Sequence, residues 1–167
     1  NTKTKDILTP RSVVHAFSKE VTITEAISND KTANFTRIPV YEEAIDNING
    51  VILKAHLYEE ERQGKGHESI EGIISPISRI SESLPVLNLL DLFIKRHEHI
   101  FIVEDHFGQT AGVVTLEDAI ETFLGREIVD ESDQVADLQK LAKAQYRQRL
   151  KTKTTTALEK ESDNSLK

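Results

Sequence analysis

Apolar positions along this chain come in short runs divided by polar turns, the pattern of a mixed fold of short strands and helices. Val13 to Phe17 predicts a short strand. Thr22 with Glu25 has the spacing of a capping box, and Ala26, Ile27 and Ala33 supply a modest helical face behind it. Arg37 to Tyr41 predicts a strand in which Pro39 limits the ladder bonds. Asp46 and Asn47 turn the chain into a partner strand, Asn49 to Leu53, and a polar helix follows over Lys54 to Gln63.

The same order then recurs. Ser78 to Ser81 is a weak first strand. Pro85 suits the first turn of a helix that is apolar nearly all round (Val86, Leu87, Leu89, Leu90, Phe93, Ile94), which predicts its burial. Ile100 to Val103 and Gly112 to Val114 predict paired strands about a turn at Asp105 to Gly108. Leu116 to Leu124 predicts a helix closed by Gly125. The repetition is visible in the letters: Ile7-Leu8-Thr9-Pro10 is echoed by Ile73-Ile74-Ser75-Pro76, and Asn49-Gly50-Val51-Ile52 by Ala111-Gly112-Val113-Val114. Units this small bury too little alone, so two of them are expected to share a face.

These readings divide the chain into a first repeat over residues 5–63, a linker over 64–71 containing Gly64 and Gly66, and a second repeat over 72–126. An acidic segment (Glu127, Asp130, Glu131, Asp133) and a thin-striped helix follow to residue 151. The Lys-, Thr- and Ser-rich stretch 152–167 has the composition of disorder.

Charge narrows the partners. Residues 1–133 carry 13 Lys and Arg against 24 Asp and Glu, whereas residues 134–167 carry 8 against 4. An acidic body argues against nucleic acid, which needs clustered cations. The basic end reads most simply as a solvated tail, with an anionic membrane face or the acidic body as the other candidates. No apolar run reaches bilayer length, and the absence of cysteine excludes disulfides and thiol chemistry. His97, His99 and His106 do not complete a tetrahedral zinc set, the acidic run is a poor magnesium cage, and Ser12, Ser75 and Ser132 lack a histidine partner at motif spacing. No catalytic set is present, so an enzyme is not expected.

The order β-α-β-β-α taken twice, an α/β (by some schemes α+β) pseudo-two-fold pair, resembles a tandem CBS module, and in particular that of the CorC/HlyC and CNNM family. Asp6-Ile7-Leu8-Thr9-Pro10-Arg11, Thr36-Arg37-Ile38-Pro39-Val40-Tyr41, Glu104 to Gly108, Ala111 to Asp118 and Gly125 to Asp133 carry the resemblance over residues 5–133. It implies a module on the cytoplasmic side of the cell membrane, joined to an N-terminal transmembrane domain of the same polypeptide. It also implies a homodimer through the CBS domains, and an adenine nucleotide (ATP, ADP or AMP, with or without Mg²⁺) coupled to divalent-cation transport.

By that resemblance the glycine-hydrophobic-x-Thr-x-x-Asp string falls on Gly112, Val113, Thr115 and Asp118. Gly112 would permit close approach of the ligand, Val113 would line the base slot, Thr115 would offer its hydroxyl, and Asp118 would accept from the ribose. Phe35, Thr36 and Arg37 from the first repeat and His99 from the second would face the ligand, Arg37 suiting a phosphate. The competing reading of Thr115 and Asp118 is a helix cap with no ligand at all, and that of Arg37 is an ion pair. In the first repeat Leu53 and His56 stand where threonine and aspartate would, so one pocket per chain is the most expected. The alternative function is a structural dimerisation module whose ligand site has decayed.

Overall fold

A computed structural model of the chain describes residues 1–131 and Lys143, with side chains through Gly125. The chain divides into two compact units, Asn1–Thr122 and Phe123–Lys167, and the first contains the first repeat and the second repeat as far as Thr122. The helix expected over 135–151 and the tail after it lie outside the described residues.

In the first repeat, β2 (Phe17–Ser18), β3 (Arg37–Tyr41) and β4 (Ile48–Leu53) form a three-stranded sheet in that order, preceded in the chain by the two-residue β1 (Thr9–Pro10). Two helices belong to it: α1 (Ile23–Ser28), started by the reciprocal Thr22–Glu25 capping box, and α2 (Lys54–Arg62). In the second repeat, β5 (Ser78–Ser81), β6 (Ile100–Glu104) and β7 (Thr110–Thr115) are joined by β1, giving the order β1-β7-β6-β5. Its helices are α3 (Val86–Arg96) and α4 (Leu116–Glu131).

Period-two alternation assigns each strand two apolar duties. Ile38, Val40 and Ile52 meet Ile23, Ala26 and Leu57 in one core. Phe101, Val103 and Val114 meet Leu89, Phe93 and Ala119 in another. The opposite faces, Val51 and Tyr41 from the first sheet and Ile100, Ile102 and Val113 from the second, form a third cluster where the repeats meet; Ile48, of the same parity as Ile52, joins it because the ladder skips Asn49. Both faces of β6 are therefore buried, which accounts for its unbroken apolar run. Polar ties reinforce the seam: Arg79 donates to the Ile48 carbonyl at 2.9 Å, and the Thr110 hydroxyl to the Asp46 carbonyl at 3.0 Å.

The echoed Thr-Pro and Ser-Pro segments cross between repeats. Thr9 and Pro10 pair antiparallel with Val113 and Gly112 of the second sheet. Ser75 exchanges two backbone hydrogen bonds with Val51 of the first, at 2.9 and 2.8 Å. Because both polar groups of Val51 turn to Ser75, its opposite number Pro39 occupies a position where β4 asks for no N–H. The stretch read as a polar linker is equally engaged: Ile70 is fully buried in the first core, and its N–H donates to the Val21 carbonyl at 2.9 Å.

Several local expectations are corrected. Arg11–Val13 forms a 3-10 turn with Val13 exposed, and the strand expected over 13–17 is confined to Phe17–Ser18, since only Val40 and Tyr41 of β3 are opposite. α1 stops at Ser28, and Ala33 lies beyond it in a separate turn where the Thr32 hydroxyl donates to the Ala26 carbonyl. α3 is not buried all round: Val86, Leu89 and Phe93 are, but Leu87 and Ile94 are 61% and 62% exposed on its outer face. α4 does not close at Gly125, which lacks a positive φ, and the acidic residues Glu127, Asp130 and Glu131 lie on that same helix. Asp133 lies outside the described residues. No helix among the described residues is long and apolar enough to cross a membrane.

Candidate functional site

β7 ends at Thr115 and α4 begins at Leu116, so the candidate site is built on a strand-to-helix junction. There the Thr115 N–H donates to Asp118 Oδ2 and the Asp118 N–H donates to Thr115 Oγ1, each at 3.2 Å. This reciprocal arrangement satisfies one of the N–H groups that the first helical turn leaves without an intrahelical partner. It does not exhaust either side chain. Asp118 retains Oδ1 and further lone pairs, and Thr115 retains a hydroxyl proton to donate. Both residues are half-buried.

His99 adjoins this pair through its backbone: its carbonyl accepts from the Leu116 N–H at 3.0 Å, and Ile100 lies opposite Thr115 in the ladder. Its imidazole is exposed. Val113 lies two residues before Thr115 and is 7% exposed in the seam between repeats, flanked by Thr9 and Ile102. Gly112 has a structural role in the crossing of the repeats. A Cβ there would run into the Thr9 carbonyl oxygen, so the absent side chain makes room for the crossing segment.

Thr36 and Arg37 occupy the equivalent place on the first sheet. The Thr36 carbonyl accepts from the Lys54 N–H at 3.0 Å, as His99 does from Leu116, and Arg37 lies opposite Leu53 as Ile100 does opposite Thr115. Among the described residues no hydrogen bond or ion pair joins Thr36 or Arg37 to Thr115 or Asp118, and Arg37 makes no ion pair with any carboxylate. The Lys54 ammonium is engaged by the Ala33 carbonyl at 2.8 Å. α2 begins at Lys54 with Leu53 at its cap position and no side-chain cap bond, the direct consequence of leucine and histidine at the positions of Thr115 and Asp118.

Two features were not read from the sequence. The Phe35 ring, 40% exposed, stacks on His15 with centroids 5.3 Å apart, and Phe17 closes on the same imidazole edge-on at 4.8 Å. Burial, with the nearby Lys31 charge, holds the His15 pKa below its ordinary value. The spacing His15-x-Phe17 was visible, but its meeting with Phe35 depends on the loop after α1. The second feature is a cleft of about 370 Å³ on the first repeat, lined by His56, Glu59, Glu60, Ile73, Ile74 and Ser75. Hydrogen bonds from Arg62 and then Gln63 push the Glu59 carboxyl down to about 2. Among the described residues no three His, Asp or Glu side chains gather as a cation site.

Comparison with known proteins bears on this arrangement. Residues 69–125 match the CBS domain model. The chain superposes on the CBS domain of the bacterial CNNM/CorC family Mg²⁺ transporter in complex with ATP, with a TM-score of 0.69 and 33% identity over 74% of this chain and 88% of that one. This chain belongs to the CNNM/CorC family of CBS-domain modules. Among curated proteins it is 36% identical over 87% of its length to the UPF0053 protein sll1254 of Synechocystis sp., of which it spans 42%. It is 30% identical over 81% of its length to the magnesium and cobalt efflux protein CorC of Salmonella typhimurium, of which it spans 46%. The chain thus spans less than half the length of these curated relatives. The likeness carries the α/β pair of CBS repeats with it.

Proposed function

We propose that this chain is the regulatory module of a membrane protein for divalent cations, and that it binds an adenine nucleotide at the Thr115–Asp118 junction. The carrying observation is that the two side chains stand ready at a helix N-terminus, with hydrogen-bonding capacity to spare, in a chain one-third identical to a CBS domain that holds ATP. A helix N-terminus favours phosphate, whereas the Asp118 carboxylate would repel it. Asp118 is therefore assigned to the ribose hydroxyls and Thr115 to the sugar or α-phosphate side. Val113 and the seam beside it supply the apolar wall for the base. Arg37, half-buried and with no carboxylate partner among the described residues, is assigned to the terminal phosphates, with Thr36 beside it and the exposed His99 next to the junction. Mg²⁺ enters with the nucleotide phosphates, as expected for an ion that keeps most of its water.

The module acts as a homodimer on the cytoplasmic face, attached to a transmembrane domain of the same polypeptide. Leu87 and Ile94, seven residues apart on the outer face of α3, are the apolar positions assigned to that contact. The second reading is a dimerisation module with a decayed site. It draws on the cap itself, which needs no ligand, and on the loss of the Thr and Asp pair in the first repeat.

Calorimetric titration of ATP, ADP and AMP, with and without Mg²⁺, against the chain and its Asp118→Ala variant separates the two. Saturable binding that the variant loses supports the nucleotide site. Absence of heat and of any thermal shift with all three nucleotides, alongside a dimer in sedimentation, leaves the structural module.

A further inference from the structure

The segment Thr4–Pro10 opens the first repeat in sequence and packs with the second in space. Thr4 is fully buried, and both its N–H and its hydroxyl donate to the Leu84 carbonyl at 2.8 Å. The Lys5 N–H donates to the Glu82 carbonyl at 2.9 Å. Thr9 and Pro10 then form the outer strand beside β7, so β7 is flanked by β1 on one side and β6 on the other. Ile7 and Leu8 pack on the second core, the cluster that contains Ala119 and against which Leu116 also rests. Leu116 and Ala119 bracket Asp118 on the first turn of α4. The strap and the turn that carries the carboxylate therefore rest on one shared core.

We propose that this strap couples the Thr115–Asp118 site to whatever chain is joined ahead of it. Docked, it closes the edge of β7 and wedges the first turn of α4 against the core. Lifted, it strips Leu8 from beside Gly112, bares the edge of β7, and removes Ile7 and Leu8 from the cluster under Leu116 and Ala119. Strap docking and ligand binding then favour each other, and linkage requires the effect to be equal in both directions. A displacement at the head of the module is read at the site, and occupancy of the site is felt at the head. The inference rests on the nucleotide reading above and assigns the route by which that site communicates.

The test is amide hydrogen exchange on the 167-residue chain with and without saturating Mg-ATP, paired with calorimetry on Leu8→Ser. That substitution removes the strap's apolar anchor and leaves Thr115 and Asp118 in place. The expected result is that ATP slows exchange over residues 4–10 about tenfold, and that Leu8→Ser weakens ATP by a similar factor. Without ligand, Leu8→Ser also speeds exchange over residues 115–119. If circular dichroism shows Leu8→Ser unfolded, Leu8→Ala is read in its place. Binding of ATP with unchanged exchange in the strap and unchanged affinity in the variant overturns the coupling and leaves the nucleotide site standing. So does unchanged exchange over 115–119 in the ligand-free variant. Failure of the unaltered chain to bind any nucleotide overturns both.

Discussion

The capping pair at the head of α4 allows a quantitative test that separates its structural role from its role in binding. Its two hydrogen bonds each run from a backbone N–H to a side chain, Thr115 N–H to Asp118 Oδ2 and Asp118 N–H to Thr115 Oγ1. Replacing Asp118 with alanine removes the first bond and keeps the second, because residue 118 still has its N–H. Replacing Thr115 with valine removes the second and keeps the first. The two losses are thus chemically independent even though the residues are neighbours. A cap bond of this kind contributes about 1 kcal/mol, so each single variant is expected to lose about 1 kcal/mol and the double variant about 2. For a chain of this length each loss corresponds to a fall of roughly 2–4 °C in Tm. Urea unfolding of the four proteins without nucleotide, at constant m, measures the cycle. A coupling of more than about 0.5 kcal/mol refutes the reasoning, since it would mean that the side chains act on each other and not on the backbone. In ligand affinity the opposite is expected: both side chains serve one nucleotide, so the first substitution removes most of the binding and the second adds little.

Gly112→Ala is expected to destabilise the chain by about 1–3 kcal/mol, because its methyl group meets the Thr9 carbonyl, whereas Gly72→Ala, with nothing near a Cβ, stays within about 0.5 kcal/mol; chemical denaturation compares them. His15 gives a pH signature. Its folded pKa lies below the ordinary 6.5, so the unfolded chain takes up the proton first as pH falls. The stability contribution is fully present above that value and is lost as pH drops through 6.5 toward the folded pKa. The fall in urea midpoint between about pH 7.5 and about pH 5.5 is expected to be smaller in His15→Phe than in the unaltered chain.

What could be read from the letters and what could not follows a physical division. Strands β3, β4, β5, β6 and β7 and helix α2 were legible within a residue or two, because period-two alternation and turn residues act locally. The Thr22–Glu25 and Thr115–Asp118 caps were legible for the same reason: each needs only a three-residue spacing. The end of α4 was not. A glycine costs a helix about 1 kcal/mol but does not stop it unless the backbone turns left-handed, and Gly125 does not turn. The exposure of Leu87 and Ile94 was not legible either, since an apolar helix gives no sign of which face is left over.

The largest gap between sequence and structure lies in the crossing segments. The echo of Ile7-Leu8-Thr9-Pro10 in Ile73-Ile74-Ser75-Pro76 revealed the duplication, and Gly50 and Gly112 were visible at matching places. Periodicity tells a residue which face it presents, never which strand will lie beside it. Whether Thr9 pairs within its own repeat or with Val113 of the other depends on the free energy of two long-range alternatives, and no local signal carries that difference. The sequence by itself determined two repeats, their strands and helices, and a polar pair at the start of α4. Only the tertiary structure decided that each repeat lends its opening segment to the other, that Gly112 makes room for that loan, and that Ile7 and Leu8 pack on the core of the second repeat, not the first.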